Sequence, residues 1–175
     1  MTAPQSPILV GNFPDVVWVR VEGKGNFRNS PELKEFSMRM LERGRSAFVI
    51  DLEGCPMMDS TFMGTLTGIA IRLKAKVSGK LEIINANPRN QQLLQSLGLD
   101  QIFTVDVEGK SWAKERELVR SNLSQSGSAP VLDQRDHAEF VLEAHEALCQ
   151  ANEDNVRRFK DVIEFLKHDT DRESS

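Results

Sequence analysis

Six consecutive residues, Ala47-Phe48-Val49-Ile50-Asp51-Leu52, constrain this chain more than any other stretch. The run is apolar at nearly every position, so it reads as a strand covered on both faces. Such a strand is parallel and central, and parallel neighbours need long crossovers that are usually helices. The flanking sequence supplies them. After the loop around Gly54-Cys55-Pro56, the pair Asp59-Ser60 opens an amphipathic helix. Phe62, Leu66, Ile69, Leu73 and Val77 form its apolar stripe, Met63 and Ala70 widen it, and Gly79 closes it.

The remaining elements follow by pattern. Residues 8–10 are apolar, and residues 16–22 alternate, with Val17, Val19 and Val21 on one face and Trp18, Arg20 and Glu22 on the other. Asn12-Phe13-Pro14-Asp15 between them is turn chemistry, which predicts a hairpin. Ser30-Pro31-Glu32 predicts a helix start, with Ser30 as N-cap, followed by Leu33, Phe36, Met40 and Leu41 at helical spacing and a stop at Gly44. Residues 80–85 form a strand. Asn87-Pro88 caps a third helix holding Leu93, Leu94 and Leu97. Gly98-Leu99 suits a left-handed helix ending, and a last strand spans 102–107. Strand and helix alternate three times after a hairpin, which predicts an α/β layer with a mixed sheet of about five strands.

Beyond Val107 the character changes. Residues 111–123 read as a short helix, and 124–132 as a linker rich in Ser, Gly and Pro. Residues 133–175 form a C-terminal helical extension with a frayed polar end from Asp169. No Pro or Gly interrupts 133–167, so an unbroken helix there would be about 50 Å long. Leu142, Cys149, Val156, Phe159, Ile163 and Leu166 recur at spacings of three, four and seven, and His145 and Asn152 share their seam. This segment is either a solvated helix packing one seam or a surface for a partner or a second copy.

Composition excludes several classes of function. The net charge is -4, with 26 acidic against 22 basic residues, so no basic footprint for nucleic acid is present. No apolar run is long enough to span a bilayer, and the start of the chain has neither the basic nor the apolar region of a leader. Two cysteines far apart in sequence argue against a disulfide framework. These readings predict a cytoplasmic protein without membrane or nucleic-acid partners.

No catalytic constellation is evident. Asp51 and Asp59 lack the further acidic pair and lysine of a phospho-aspartate site. Gly23-Lys24-Gly25 is too short for a phosphate loop. His145 and Cys149 lie one turn apart, a spacing able to share a metal, but further ligands are absent nearby except the distant His137. Cys55 has no base partner. No metal, cofactor or catalytic residue is expected. Ser60 is different. A hydroxyl at a helix start sits among unpaired backbone N–H groups at the positive end of the helix dipole, where a phosphate is well received. The plain alternative is that Asp59 or Ser60 is only an N-cap.

Residues 8–107 resemble a STAS domain, the fold of bacterial anti-sigma-factor antagonists. Val49-Ile50-Asp51-Leu52 running into Met58-Asp59-Ser60-Thr61 and Gly64 is similar to the family's apolar strand followed by Asp-Ser-Ser-Gly-Leu-Gly. The order of elements agrees, and Leu97-Gly98-Leu99-Asp100-Gln101-Ile102-Phe103 is similar to the family's turn into the last strand. Residues 1–110 are therefore expected to form a STAS-like domain. One departure is Phe62, which stands where the family has glycine.

The resemblance implies partner switching. The unphosphorylated antagonist binds an anti-sigma factor that is also a serine kinase, a sigma factor is released, and a PP2C-type phosphatase resets the phosphorylated form. By position, Ser60 is the implied phospho-acceptor. Asp59, Thr61, Phe62, Met63 and Met58 are the expected partner-binding residues. A non-phosphorylated STAS scaffold or accessory subunit of a larger assembly is the alternative, with a homodimer through the C-terminal helix as a further possibility.

Overall fold

The computed structural model describes residues 7–126 and 130–173. The expected linker residues 127–129, the start of the chain before Pro7 and the last two residues lie outside that description. A hairpin of β1 (Ile8–Asn12) and β2 (Val17–Val21) opens the fold. Then follow α1 (Ser30–Glu42), β3 (Ala47–Asp51), α2 (Ser60–Lys74), β4 (Lys80–Ile84) and α3 (Pro88–Ser96). A 3-10 turn (Leu99–Gln101) leads into β5 (Thr104–Asp106), then α4 (Ala113–Asn122) and β6 (Ser124–Gln125). Three more helices complete the chain: α5 (Gln134–Ala151), α6 (Asp154–Arg158) and α7 (Lys160–Glu173).

The sheet is mixed and ordered β5-β4-β3-β2-β1-β6. The β2, β3, β4 and β5 strands run parallel, while β1 is antiparallel to β2 and to β6. β3 is covered on both sides, as its apolar run requires. Phe48 and Ile50 enter the main core under α1 and α2, whereas Val49 joins Val16, Trp18, Ile84 and Val119 in a smaller core on the opposite face. The alternation of β2 is obeyed too, with Val17, Val19 and Val21 in the main core and Trp18 in the other.

α4 closes the second face. Its Arg116 donates to Asn85 Oδ1 at 2.7 Å, to Asp106 Oδ2 at 3.0 Å and to the Ser111 carbonyl at 2.6 Å. Burial pushes the Asp106 carboxyl up. The N–H groups of Ser111, Gly109 and Glu108 and the Arg116 charge together outweigh that and hold it below its ordinary value. Asp51 is likewise a packing group here. It is buried and accepts from Trp18 Nε1 at 3.2 Å, Asn85 Nδ2 at 3.0 Å and the Glu53 N–H at 3.0 Å.

The expected mixed α/β sheet is present, and several finer expectations need correction. The sheet has six strands, because Ser124-Gln125 of the expected linker pairs with Val10 and Leu9. Two residues carry no periodicity, so only the open edge of β1 recruits them. α2 ends at Lys74, and Val77 is exposed in the turn that follows, outside the apolar stripe. Ser30 is the first helical residue of α1, with Asn29 at the N-cap, and its hydroxyl donates to the Asn26 carbonyl at 2.7 Å. The last strand is shorter than 102–107, since Ile102 and Phe103 are taken by the turn closing the 3-10 helix.

The C-terminal extension is broken rather than continuous. Asn152, which ends α5, is extended (φ -157°, ψ 132°), and its Oδ1 accepts from the Asp154 N–H at 2.9 Å, just where α6 begins. This is asparagine competing with the helical backbone, which outweighs the lack of Pro or Gly. α7 packs against α5, and Phe159, at the end of α6, sets its ring edge-on to His145 at 5.1 Å. The expected frayed end from Asp169 is helical through Glu173.

Candidate functional site

The start of α2 is built by two loops. Asp59 is its N-cap, with Oδ1 accepting from the Phe62 N–H at 2.8 Å. Its Oδ2 accepts from the Phe27 N–H at 2.9 Å, and its own N–H donates to the Gly25 carbonyl at 2.8 Å. The 25–29 loop is thereby tied to the helix start. Gly25 also leaves the space that Phe62 fills: a Cβ at Gly25 would lie 2.8 Å from the Phe62 ring. The aromatic ring at that position thus packs inward, against backbone.

Ser60 is the first residue of α2 and is half-buried. Its hydroxyl lies 3.0 Å from Nε2 of His145, which comes from α5. His145 is 3% exposed, and its Nδ1 is 2.7 Å from the Val141 carbonyl. A carbonyl can only accept, so Nδ1 carries a proton; in the neutral ring Nε2 is then the acceptor for the Ser60 hydroxyl. The sequence places these residues 85 positions apart, and no spacing rule could have paired them. The one usable sign was a histidine on an otherwise apolar seam.

The other expected partner residues divide sharply. Asp59 is half-buried, like Ser60. Met58, Thr61, Phe62 and Met63 are buried, with exposures of 3%, 6%, 0% and 4%. None of these four presents a side chain to a partner in this arrangement. Phe62 and Met63 belong to the main core because the stripe of α2 they sit on faces the sheet, and Met58, which pairs with Gly25 just before the helix, joins that core too. Thr61 instead offers its carbonyl to the Thr65 hydroxyl at 2.8 Å.

α5 lies across α2 at close range. A Cβ at Gly64 would come within 2.2 Å of the Ala144 carbonyl oxygen, so only glycine admits the helix there. Further along, a Cβ at Gly68 would sit 3.9 Å from the Ala147 methyl. Glu143 bridges α1 and α2, with Oε2 at 2.9 Å from Lys34 Nζ and Oε1 at 3.4 Å from Arg72 Nη2. The far end is tied to the Leu97-Gly98-Leu99 turn. The buried Asn155 amide donates to the carbonyls of Leu97 at 3.0 Å and Leu148 at 2.8 Å.

The cysteines are poorly placed for chemistry. Burial pushes the Cys55 thiol up, against smaller opposing effects from backbone groups of Gly25 and Met57. Burial, with the Glu146 charge, does the same to Cys149. A thiolate is the reactive form, so both are disfavoured as nucleophiles. Among the described residues no group of three or more His, Cys, Asp or Glu side chains could hold a metal ion, and no helix is long and apolar enough to cross a membrane.

The α/β layer, with the Asp59 cap and Ser60 opening its second helix, can now be set beside known proteins. The STAS domain family profile matches residues 8–111, and the chain belongs to that family. Among solved structures, a Thermotoga maritima protein described as a candidate anti-sigma factor antagonist is similar, with 20% identity and a TM-score of 0.54. The match covers 63% of this chain and 92% of that one. An anti-sigma factor antagonist from Mycobacterium paratuberculosis gives 23% identity and a TM-score of 0.53, over 69% and 99% of the two chains. At such identities the likeness is one of fold. No curated protein matches the chain significantly. The helices α5 to α7 lie beyond the residues matched to the family.

Proposed function

We propose that this protein is an anti-sigma-factor antagonist controlled by phosphorylation of Ser60. Unphosphorylated, it binds an anti-sigma factor that is also a serine kinase. Phosphate transfer to Ser60 ends that complex, and a PP2C-type phosphatase restores the binding form. The observation that carries this reading is the Ser60 hydroxyl in the first turn of α2, beside the Asp59 cap, in a STAS domain.

The physical case rests on the difference between what the fold and an interface tolerate. A phosphate brings about -1.5 to -2 charge and three acceptor oxygens. At a helix start the dipole favours an anion by roughly 0.3–1 kcal/mol, so the domain itself accommodates it. A close-fitting partner does not. Added charge beside Asp59 imposes desolvation and repulsion of several kcal/mol, and each ~1.4 kcal/mol is tenfold in affinity. The switch is therefore electrostatic and leaves the α/β layer unchanged.

The test is incubation with a cognate anti-sigma kinase and labelled ATP, followed by binding measurements. Label should appear on the unchanged protein and vanish in Ser60→Ala. Ser60→Asp should bind the partner roughly 30-fold or more weakly. Label that persists in Ser60→Ala, or equal affinity of Ser60→Asp, would favour a scaffold without phosphorylation. One observation speaks for that second reading: the Ser60 hydroxyl is already engaged by His145.

A further inference from the structure

We propose that α5 sits in the place of the partner: the face of α2 running from Ser60 through Gly64 to Gly68 is a helix-docking surface, and the C-terminal helices and a partner compete for it. The competition rests on the reading of Ser60 as phospho-acceptor; the masking of Ser60 by α5 does not.

Three independent contacts define the surface. At one end, the His145 ring is hydrogen-bonded to the Ser60 hydroxyl at 3.0 Å, so a kinase active site approaching that oxygen meets α5 first. In the middle, Gly64 lets the Ala144 backbone approach to a distance that any Cβ would forbid. Beside it, Lys34 and Arg72 converge from two helices on one carboxylate, Glu143. The surface thus fits an α-helix with a small residue over Gly64, an acid between Lys34 and Arg72, and a polar acceptor at Ser60. α5 meets all three requirements, and it is joined to the domain by a segment outside the family match.

The phospho-acceptor site and the small-residue crossing lie about one turn apart on α2. A group large enough to transfer phosphate to Ser60 cannot approach while His145 is seated on its hydroxyl. A phosphate installed there likewise occupies the space of the imidazole. Opening α5 is therefore required for modification, and modification opposes its return.

The masking is tested on the full chain without a kinase. Cys55→Ala and Cys149→Ser remove the native thiols, and Ser60→Cys places a reporter at the site. Alkylation by iodoacetamide should be at least about tenfold slower than in a peptide spanning residues 57–64, because the opening of α5 must come first. Glu143→Lys puts a third cation between Lys34 and Arg72 and should restore much of that rate, as should Leu148→Ala. Circular dichroism of each variant confirms that the sheet persists. A reporter that reacts as fast as the peptide in the unchanged background overturns the proposal, and so does a rate unmoved by both substitutions.

The competition is tested with the kinase. Glu143→Lys should be phosphorylated on Ser60 faster than the unchanged chain. Equal rates overturn the competition and leave the phospho-acceptor reading intact. No label on either form, together with a protected reporter, sinks the phospho-acceptor reading and leaves the masking intact.

Discussion

The α/β layer and the C-terminal helices are held together by different means. The layer buries large side chains completely: Trp18, Phe48, Phe62, Leu66 and Ile83 are at most 1% exposed. Among the described residues, the C-terminal helices sink Leu148 fully and Leu166 nearly so, pack Phe159 against the main core and the buried His145, and add close approach of small residues, a buried amide and ion pairs. Their outer face keeps Val156, Val162 and Phe165 at 51%, 40% and 70% exposure. Apolar burial contributes roughly 25 cal/mol per Å², so the layer gains far more than the appendage. The difference teaches that the two parts need not open together. Regions with few buried apolar contacts open at a fraction of the global cost.

Phe62→Ala gives the largest expected effect. The ring is 0% exposed and packs on Gly25 in the main core. Its truncation should cost about 3–5 kcal/mol, read as a lower midpoint in urea with an unchanged slope. Hydrogen exchange should quicken in β3 and α5 alike, because the loss is global. If only α5 to α7 lost protection, Phe62 would belong to the appendage and the contrast drawn above would break.

Asn155→Ala is the counterpart on the other side. The amide is fully buried and serves two carbonyls, one on the Leu97 turn and one on α5. Removing it takes the amide from the Leu97 carbonyl and leaves that of Leu148 only the longer bond from the Asn152 N–H at 3.3 Å, a loss of about 1–3 kcal/mol. The effect should be confined: amides of α5 to α7 exchange faster while β3 and β4 keep their protection. Uniform acceleration across the sheet would show that layer and appendage open as one unit.

The same contrast sets how far the sequence could be read. The layer was legible because its residues obey local periods. The 47–52 run gave a doubly covered strand, alternation in β2 sorted Val19 from Trp18, and Asn87-Pro88 marked the start of α3. Asp59 as a cap was visible from its place before the apolar stripe. What was not legible depends on contacts distant in sequence. β6 exists only because β1 offers an edge, and the extension bends at Asn152 because a side-chain oxygen captures the Asp154 N–H. The burial of Phe62 and Met63 follows from which face of α2 meets the sheet, and that of Met58 from its pairing with Gly25. The Ser60–His145 contact follows from Gly64 and Ala144 allowing two helices to touch. Periodicity says that a helix has an apolar face, and is silent on which helix covers it.

The smallest expected effect sharpens the contrast at its weakest point. Glu143 joins Lys34 and Arg72, but its side chain is 56% exposed and that of Arg72 48%. Exposed ion pairs contribute about 0.2–1 kcal/mol and are screened by salt. Glu143→Gln keeps the size and removes the charge, so it should quicken exchange in α5 slightly at low ionic strength. At about 1 M salt, where the screening length falls to roughly 3 Å, that difference should vanish. Asn155→Ala should keep its effect in the same salt, because a buried amide donating to carbonyls is not an ionic contact. A salt-independent Glu143→Gln effect would mean that the carboxylate holds α5 by packing, and the charge clamp would then be no part of what seats this helix on α2.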